Sequence, residues 1–551
     1  MKINGRGVIT FDCESHLGRR GLALPPMVCL QLYTDEAAEA RTVEEALILT
    51  GFVDDEAHVL RGTSHGGAWW LLSSRAARAL WPSLIRDDTL HLVAHSAPYD
   101  LGLMANETGL VDEVFDRLEK GAISDTMIRE RLLAIAAGHQ DFDPILRKPD
   151  PRHSLADVVK RRLGVDITGD KMKTPKEHKH DPWKWVVSKL KCSSCDLAPW
   201  LGVGHPTAAG LECDECDGFG LAGPWRLRYC QLQGVPVNEW PDRAVNYAVD
   251  DAVWTHLACE AQLDAPAPRD TGVDVIEPGG LVVDEVNQVR FFWSVSLMAT
   301  WGMRTDPYRV GLVVADWTAR AEKAIAVGQA AGFVRPNGTE NRAAMCEQVA
   351  AAYTAAGRQV PRGEATPKML EKAANLEADL TTWRSADRER LTPAAVRKLE
   401  KKIADAPTKI ITLRAGNIKY SNEVLEDSGV KALVEYGDGK TYRGHLSKYA
   451  DTLKIGTTRP ITSRPNPLVI TGRCGWTDPP LHQPPRKGGY RECHTPRPLH
   501  VYMSADYDTI EICSLAQVHI DWGLGSTLRD KIAAGVDLHV DLAVDVYGKP
   551  A

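Results

Sequence analysis

Val8-Ile-Thr-Phe-Asp-Cys-Glu-Ser15 decides how the first half of the chain is read. It is a β-rich run that ends in Asp-x-Glu. Alternation along a strand puts Asp12 and Glu14 on one face. Two carboxylates side by side repel unless a cation sits between them. Alone, the motif also fits a solvent-facing strand pair.

Two later segments extend the pattern. In His91-Leu-Val-Ala-His-Ser-Ala-Pro-Tyr-Asp-Leu-Gly-Leu-Met104 an apolar strand leads to a turn at Ser96-Ala-Pro98. Asp100 then opens a helix, where an acid suits the dipole. Ala244-Val-Asn-Tyr-Ala-Val-Asp-Asp-Ala-Val-Trp-Thr255 reads as a helix, with Tyr247 and Asp251 four residues apart on one face. Each segment has an ordinary structural reading; their order and combination are harder to obtain by chance. Together they resemble the proofreading 3′–5′ exonucleases of the DEDD type, tyrosine subclass. Ser124-Asp-Thr-Met127 before one helix, and His153-Ser-Leu-Ala-Asp-Val-Val159 at the start of another, fit the same family. One departure is Ser96, where the family usually has Asn.

The resemblance implies an α/β, RNase H-like domain, a mixed sheet flanked by helices, over residues 1–263. It implies that Asp12, Glu14, Asp100 and Asp251 hold two Mg²⁺ or Mn²⁺ about 3.5–4 Å apart. Tyr247 would orient the attacking water, and the product would be a nucleoside monophosphate from a single-stranded 3′ end.

Between the second and third motifs lies an insert, about residues 180–229. It carries Cys192-Ser-Ser-Cys195 and Cys213-Asp-Glu-Cys216. Four thiolates at this spacing fit a tetrahedral, structural Zn²⁺ with no open position for catalysis.

Bulk properties are those of an ordinary globular chain. Its 551 residues predict three or more domains. The net charge of −7 argues against a protein that coats DNA passively, but not against an enzyme with a local positive groove. No apolar run reaches the length of a membrane span, and no secretory leader is visible. A cytoplasmic location is expected, in the host if the gene belongs to a phage. The twelve cysteines do not read as a disulfide framework.

Leu263-Asp-Ala-Pro-Ala-Pro-Arg-Asp-Thr-Gly272 predicts a linker over residues 264–280. Trp301-Gly-Met-Arg-Thr-Asp-Pro307 then resembles the Gly-x-x-x-Asp-Pro turn that opens the polymerase domain of bacterial DNA polymerase I relatives. Within residues 281–460, the stretches Ala315–Ala331 and Thr366–Lys409 are rich in helix formers with alternating charge. By the resemblance residues 281–460 hold a helical thumb, with the basic helix around Ala394–Lys402 gripping phosphates. Residues 461–551 would be a partial palm and the start of the fingers.

The segment Thr471-Gly-Arg473 … Pro479-Pro-Leu-His-Gln483 … Arg486 is similar to the Thr-Gly-Arg … Pro-Asn-Leu-Gln-Asn … Arg stretch of family A DNA polymerases. The family would place Arg473 at the primer terminus and Arg486 along the same track. Pro480, His482 and Gln483 depart from the pattern. Ser504-Ala-Asp-Tyr-Asp-Thr-Ile-Glu-Ile-Cys-Ser-Leu-Ala-Gln517 matches the family's motif A. Here a strand Leu499–Met503 is expected to deliver Asp506 to its tip as a ligand of the polymerase metals. The resemblance sets the Tyr507 backbone near the incoming triphosphate and Glu511 beneath the sugar. It sets His539, in Ala533-Ala-Gly-Val-Asp-Leu-His539, at the nucleotide phosphates.

The fingers helix with its Lys and Arg, and the His-Asp-Glu turn with the second carboxylate, do not appear before Ala551. The reading is therefore a family A polymerase with a proofreading exonuclease, acting on primer-template DNA and deoxynucleoside triphosphates. Polymerisation would need a second polypeptide that completes fingers and palm. The rival readings are a stand-alone exonuclease like RNase D and a non-catalytic DNA-binding assembly subunit.

Overall fold

The computed structural model describes residues 1–17, 24–137, 142–143, 148–149, 153–168, 191, 221, 223–265, 275–386, 388, 392–469, 473–507 and 509–548. The chain divides into two compact units, Met1–His494 and Thr495–Ala551.

The first unit is built around a seven-stranded sheet. Its strands are β1 (Lys2–Ile3), β2 (Arg6–Ser15), β3 (Met27–Thr34), β4 (Val59–Ser64), β5 (Gly67–Ser73), β6 (Leu90–Ala94) and β7 (Ile123–Asp125). The order is β4-β5-β3-β2-β6-β7, with β1 beside β2. β2 is central: it runs antiparallel to β3 and parallel to β6. Val8, Ile9 and Phe11 are fully buried, as a strand covered on both faces requires.

One face is covered by α1 (Ala37–Thr50), α2 (Ser74–Arg86), α3 (Pro98–Thr108) and α4 (Val111–Glu119), and Phe11 packs on Trp81 with ring centroids 5.2 Å apart. The other face carries the 22-residue helix α7 (Asp242–Leu263). Ala244, Ala248 and Ala252 line its buried side. Small side chains there let the helix lie close to the sheet. Asp125 caps α5 (Thr126–Ala136) by accepting from the Met127 and Ile128 amides, and Ser154 caps α6 (Leu155–Leu163), so both helices start where the sequence predicts.

The sequence predicts a domain break over residues 264–280, but the packing continues across it. Residues 266–274 lie outside the described set. Beyond them α8 (Glu285–Trp301) buries Val289, Phe292, Trp293 and Val295 in the same core as the sheet. Arg129 on α5 and Glu285 on α8 form a fully buried ion pair at 2.8 Å. The Arg129 guanidinium also donates to the Gly280 carbonyl at 2.9 Å. The apolar face of α8 determines where the core ends.

The Gly-x-x-x-Asp-Pro turn has a local physical basis. Gly302 sits at φ +62°, and a Cβ there would meet the Ile461 carbonyl oxygen at 2.5 Å. Asp306 caps α9 (Pro307–Ala330) by accepting from the Arg309 amide at 2.8 Å, with Pro307 at the first helical position. A helical body follows: α10 (Arg342–Ala355), α11 (Pro367–Arg384), α12 (Pro393–Ala415), α13 (Asn422–Asp427), α14 (Lys431–His445) and α15 (Asp451–Thr458). A π-helical turn, Leu446–Ala450, joins the last two. Arg397, Lys398, Lys401 and Lys402 on α12 are exposed.

In the second unit the described helices are α16 (Ile510–Asp521), α17 (Thr527–Ala533) and α18 (Leu538–Tyr547). The expected strand before Asp506 is absent: residues 499–507 form no regular element. Leu499, Val501 and Met503 are 105%, 88% and 90% exposed. An apolar run becomes a buried strand only when neighbouring strands take its amides and carbonyls, and none does so among the described residues. Among the described residues of 461–494 the pairings are short: Arg464–Asn466 runs antiparallel to Gly475–Thr477, and Ile461 bridges Met303.

Candidate active site

The site lies where the end of β2 meets α7. Because β2 alternates, Asp12 and Glu14 point to the α7 side, and α7 brings Asp251 down to them. One carboxylate oxygen from each of these three residues lies within 4.8 Å of the others. Thr10, two residues before Asp12 on the same face, holds the helix in place. Its hydroxyl is 3.0 Å from the Ala252 carbonyl and 3.1 Å from that of Tyr33.

Asp100 arrives from the first turn of α3 and is 3% exposed. Its carboxylate accepts from the Cys13 amide, between Asp12 and Glu14, at 3.1 Å. A second link joins the same two elements: the Ser15 and Tyr99 hydroxyls are 2.6 Å apart. The turn that aims α3 is held by Asp125, which accepts from the Ser96 amide at 3.0 Å and the Ala97 amide at 2.9 Å. Ser96 itself adopts φ +65°. The left-handed region suits Asn better than Ser.

Electrostatics single out this cluster. Burial, then repulsion from the neighbouring acids, holds Asp12, Glu14 and Asp100 well above the carboxylate range. Burial and then Asp250 push Asp251 up to about 7. Four acids stacked this way are costly unless positive charge joins them. The donor set is all carboxylate, which fits Mg²⁺ or Mn²⁺.

Tyr247 stands one turn before Asp251 on α7, and its phenol opposes the rise of the Asp251 carboxyl. Its ring packs on Tyr229 with centroids 6.1 Å apart. Burial and the surrounding carboxylates hold its hydroxyl far above the usual range, so it stays protonated. One cationic residue was not singled out from the sequence: the Arg226 charge acts on both Asp251 and Tyr247. Nothing in Trp225-Arg-Leu-Arg-Tyr229 marks it, because its position depends on how Trp225 and Tyr229 pack against α7.

The polymerase-side residues fall in both units, and all of them are exposed. Arg473 and Arg486 are exposed in the first unit. In the second, Asp506, Tyr507, Glu511 and His539 are all exposed, with Glu511 in the first turn of α16 and His539 on α18. Among the described residues, the only cluster of His, Cys, Asp or Glu able to hold a metal is that of Asp12, Glu14 and Asp251. Cys192, Cys195, Cys213 and Cys216 lie outside the described residues. Lys191 and Leu221, within the insert, pair as an antiparallel bridge. Among the described residues, no helix is long and apolar enough to cross a membrane.

No family model matches the chain, and no curated protein does. Among solved structures, it is similar to the POL domain of Pol1 from M. smegmatis in complex with DNA primer-template and dNTP. The TM-score is 0.40 and the identity 14%. The match covers 98% of this chain and 64% of that one.

Proposed function

We propose that the chain is a metal-dependent 3′–5′ exonuclease belonging to a family A DNA polymerase. The observation that carries the exonuclease reading is the meeting of Asp12, Glu14 and Asp251 within 4.8 Å, with Asp100 fixed to the intervening Cys13 amide. These residues would hold the cations. Bound there, Mg²⁺ or Mn²⁺ supplies a water of lowered pKa and charge to stabilise the leaving 3′-oxygen. The protein's own share is positional. Thr10 and the Asp125-capped turn bring three elements to one point, and Tyr247 presents a protonated hydroxyl beside Asp251 where it can orient a water. Arg226 offers a cation to the phosphate of the terminal nucleotide.

The test is a 5′-labelled single strand of DNA with Mg²⁺ or Mn²⁺. The expected result is a ladder of products shortened one nucleotide at a time from the 3′ end, lost with Asp12→Ala. No ladder, or one that Asp12→Ala leaves intact, overturns the reading.

The polymerase part rests on the resemblance of residues 466–551, with Asp506 as metal ligand and Arg473, Arg486, Tyr507, Glu511 and His539 at primer and nucleotide. The exposed setting of Asp506 favours a chain that degrades DNA alone and polymerises only with a second polypeptide. Primer extension that requires such a polypeptide, and vanishes with Asp506→Ala, is the expected outcome. The cysteine quartet would hold a structural Zn²⁺, and stoichiometric zinc in the purified chain tests that.

A further inference from the structure

A cavity of about 370 Å³ opens between the start of α3, the helix α8 and the short strand Arg464–Asn466. Ser96 and Tyr99 line it from the α3 side, Phe292, Trp293 and Ser296 from α8, and Arg464 from the strand. Its size is at the small end of cavities that hold one small ligand. The lining carries polar groups that the fold leaves unused. Trp293 is fully buried, and its indole N–H has no hydrogen-bond partner. A buried donor without an acceptor is costly. Arg464 is exposed and its guanidinium makes no ion pair among the described residues. Aromatic rings stand on both helices, Tyr99 on α3 and Phe292 on α8. A flat ring with acceptors on its edge and an anion at one end fits this set. The aromatic side chains can stack on it, the N–H can donate to its edge, and the guanidinium can hold the anion.

We propose that this cavity binds a free nucleoside monophosphate, with its base against the Tyr99 and Phe292 rings and its phosphate on Arg464. Every base has a π-face for an aromatic side chain and acceptors along its edge. Arg464 is the one charged residue of the described lining, and a single cation suits one phosphate better than the larger charge of a triphosphate. Binding here does not rest on the nuclease reading. Only the source of the ligand does, because a 3′–5′ exonuclease releases nucleoside monophosphates. The cavity also adjoins the carboxylate cluster. Tyr99 directly precedes Asp100, and its hydroxyl is 2.6 Å from that of Ser15, the residue after Glu14. A nucleotide against Tyr99 therefore bears on the turn that carries Asp100. Released product would act back on the cluster from outside it.

Calorimetry without added Mg²⁺ or Mn²⁺ tests this, because acids without a cation repel a phosphate and do not compete for it. The full chain is titrated with deoxyadenosine monophosphate beside Arg464→Gln, Ser296→Trp and Asp12→Asn. The intact chain and Asp12→Asn are expected to bind alike. Arg464→Gln should bind about tenfold more weakly; Arg464 is exposed, so its replacement spares the fold. Ser296→Trp, which fills the cavity, should not bind. Deoxyadenosine, which lacks the phosphate, should bind the intact chain and Arg464→Gln equally. An oligothymidylate distinguishes the free ligand from a base within a strand, and it should not displace the monophosphate. Absence of binding, undiminished binding by Arg464→Gln or Ser296→Trp, or displacement by the oligothymidylate overturns the proposal. Binding as expected without a nuclease ladder would leave this inference standing and overturn only the exonuclease reading.

Discussion

The Thr10 hydroxyl is 3.0 Å from the Ala252 carbonyl, which joins the strand that carries Asp12 to the helix that carries Asp251. The two acids are 239 positions apart in the chain (251 − 12). One buried hydroxyl fixes their approach better than apolar packing alone, because an alanine face can slide along a sheet whereas a hydrogen bond has a direction.

Replacing that hydroxyl should therefore affect the site more than the fold. Thr10→Val keeps the shape and loses one buried hydrogen bond, about 1 kcal/mol. Nuclease activity should fall about tenfold or more, because small displacements of reacting groups are costly. Thr10→Ser should retain both. Thermal unfolding and single-turnover cleavage check this, and equal activity in Thr10→Val would show that the link does not position Asp251.

The strained turn gives a prediction of opposite sign. Ser96 holds φ +65° so that its amide can reach Asp125. A left-handed conformation costs a non-glycine residue about 1–2 kcal/mol, and Asn bears it best. Ser96→Asn should stabilise the chain by up to about 1 kcal/mol with activity unchanged or raised. Chemical denaturation measures the shift; destabilisation would mean that the serine hydroxyl has a role of its own.

Metal removal should reveal the cost of the acid cluster. Asp12, Glu14 and Asp100 are held well above their ordinary range by burial and mutual repulsion. In a chelator, Asp12→Asn should be more stable than the intact chain because it removes one repelling carboxylate. With Mg²⁺ or Mn²⁺ at a hundredfold over its dissociation constant, the intact chain should gain about 2.7 kcal/mol and Asp12→Asn much less. Melting curves with and without metal decide it, and equal metal responses would argue against a cation on Asp12.

Acid sensitivity follows from a neighbouring histidine. His95 bonds to the Thr126 hydroxyl at 2.8 Å, and burial lowers its pKa from 6.5 to about 4. Between those values the unfolded chain binds the extra proton. The stability His95 contributes is therefore present above pH 6.5 and lost as pH falls towards 4. The raised carboxylates act in the opposite sense, since they bind protons more readily when folded. Comparing the intact chain with His95→Gln separates the two. The variant should gain on the intact chain by up to about 3 kcal/mol between those limits. Parallel melting curves across that range would overturn the assignment.

Much of the first half of the chain is legible in the sequence because its rules are local. Strand alternation places Asp12 and Glu14 together, and helical periodicity places Tyr247 with Asp251. The caps at Asp125, Ser154 and Asp306 announce their helices. What could not be read depends on distant partners. Arg226 reaches the site only through the packing of its neighbours Trp225 and Tyr229 against α7. The 264–280 break does not part the core, because α8 carries apolar residues back to it. The Leu499–Met503 run looks like a strand, but without neighbouring strands its backbone has no ladder to join.

The sequence by itself determined which residue types stand at which spacing, and so which carboxylates could share a face and where helices begin. Those outcomes depend on side-chain periodicity and on the first turn of each helix, which are set within a few residues. Tertiary structure alone decided that Asp251 meets Asp12 and Glu14, that Asp100 is fixed to the Cys13 amide, and that Ser96 and Tyr99 share a cavity with residues of α8. It also left Asp506 exposed. Each of these depends on strand register or on packing between segments far apart in the chain, where the free energy lies in contacts that no local pattern encodes.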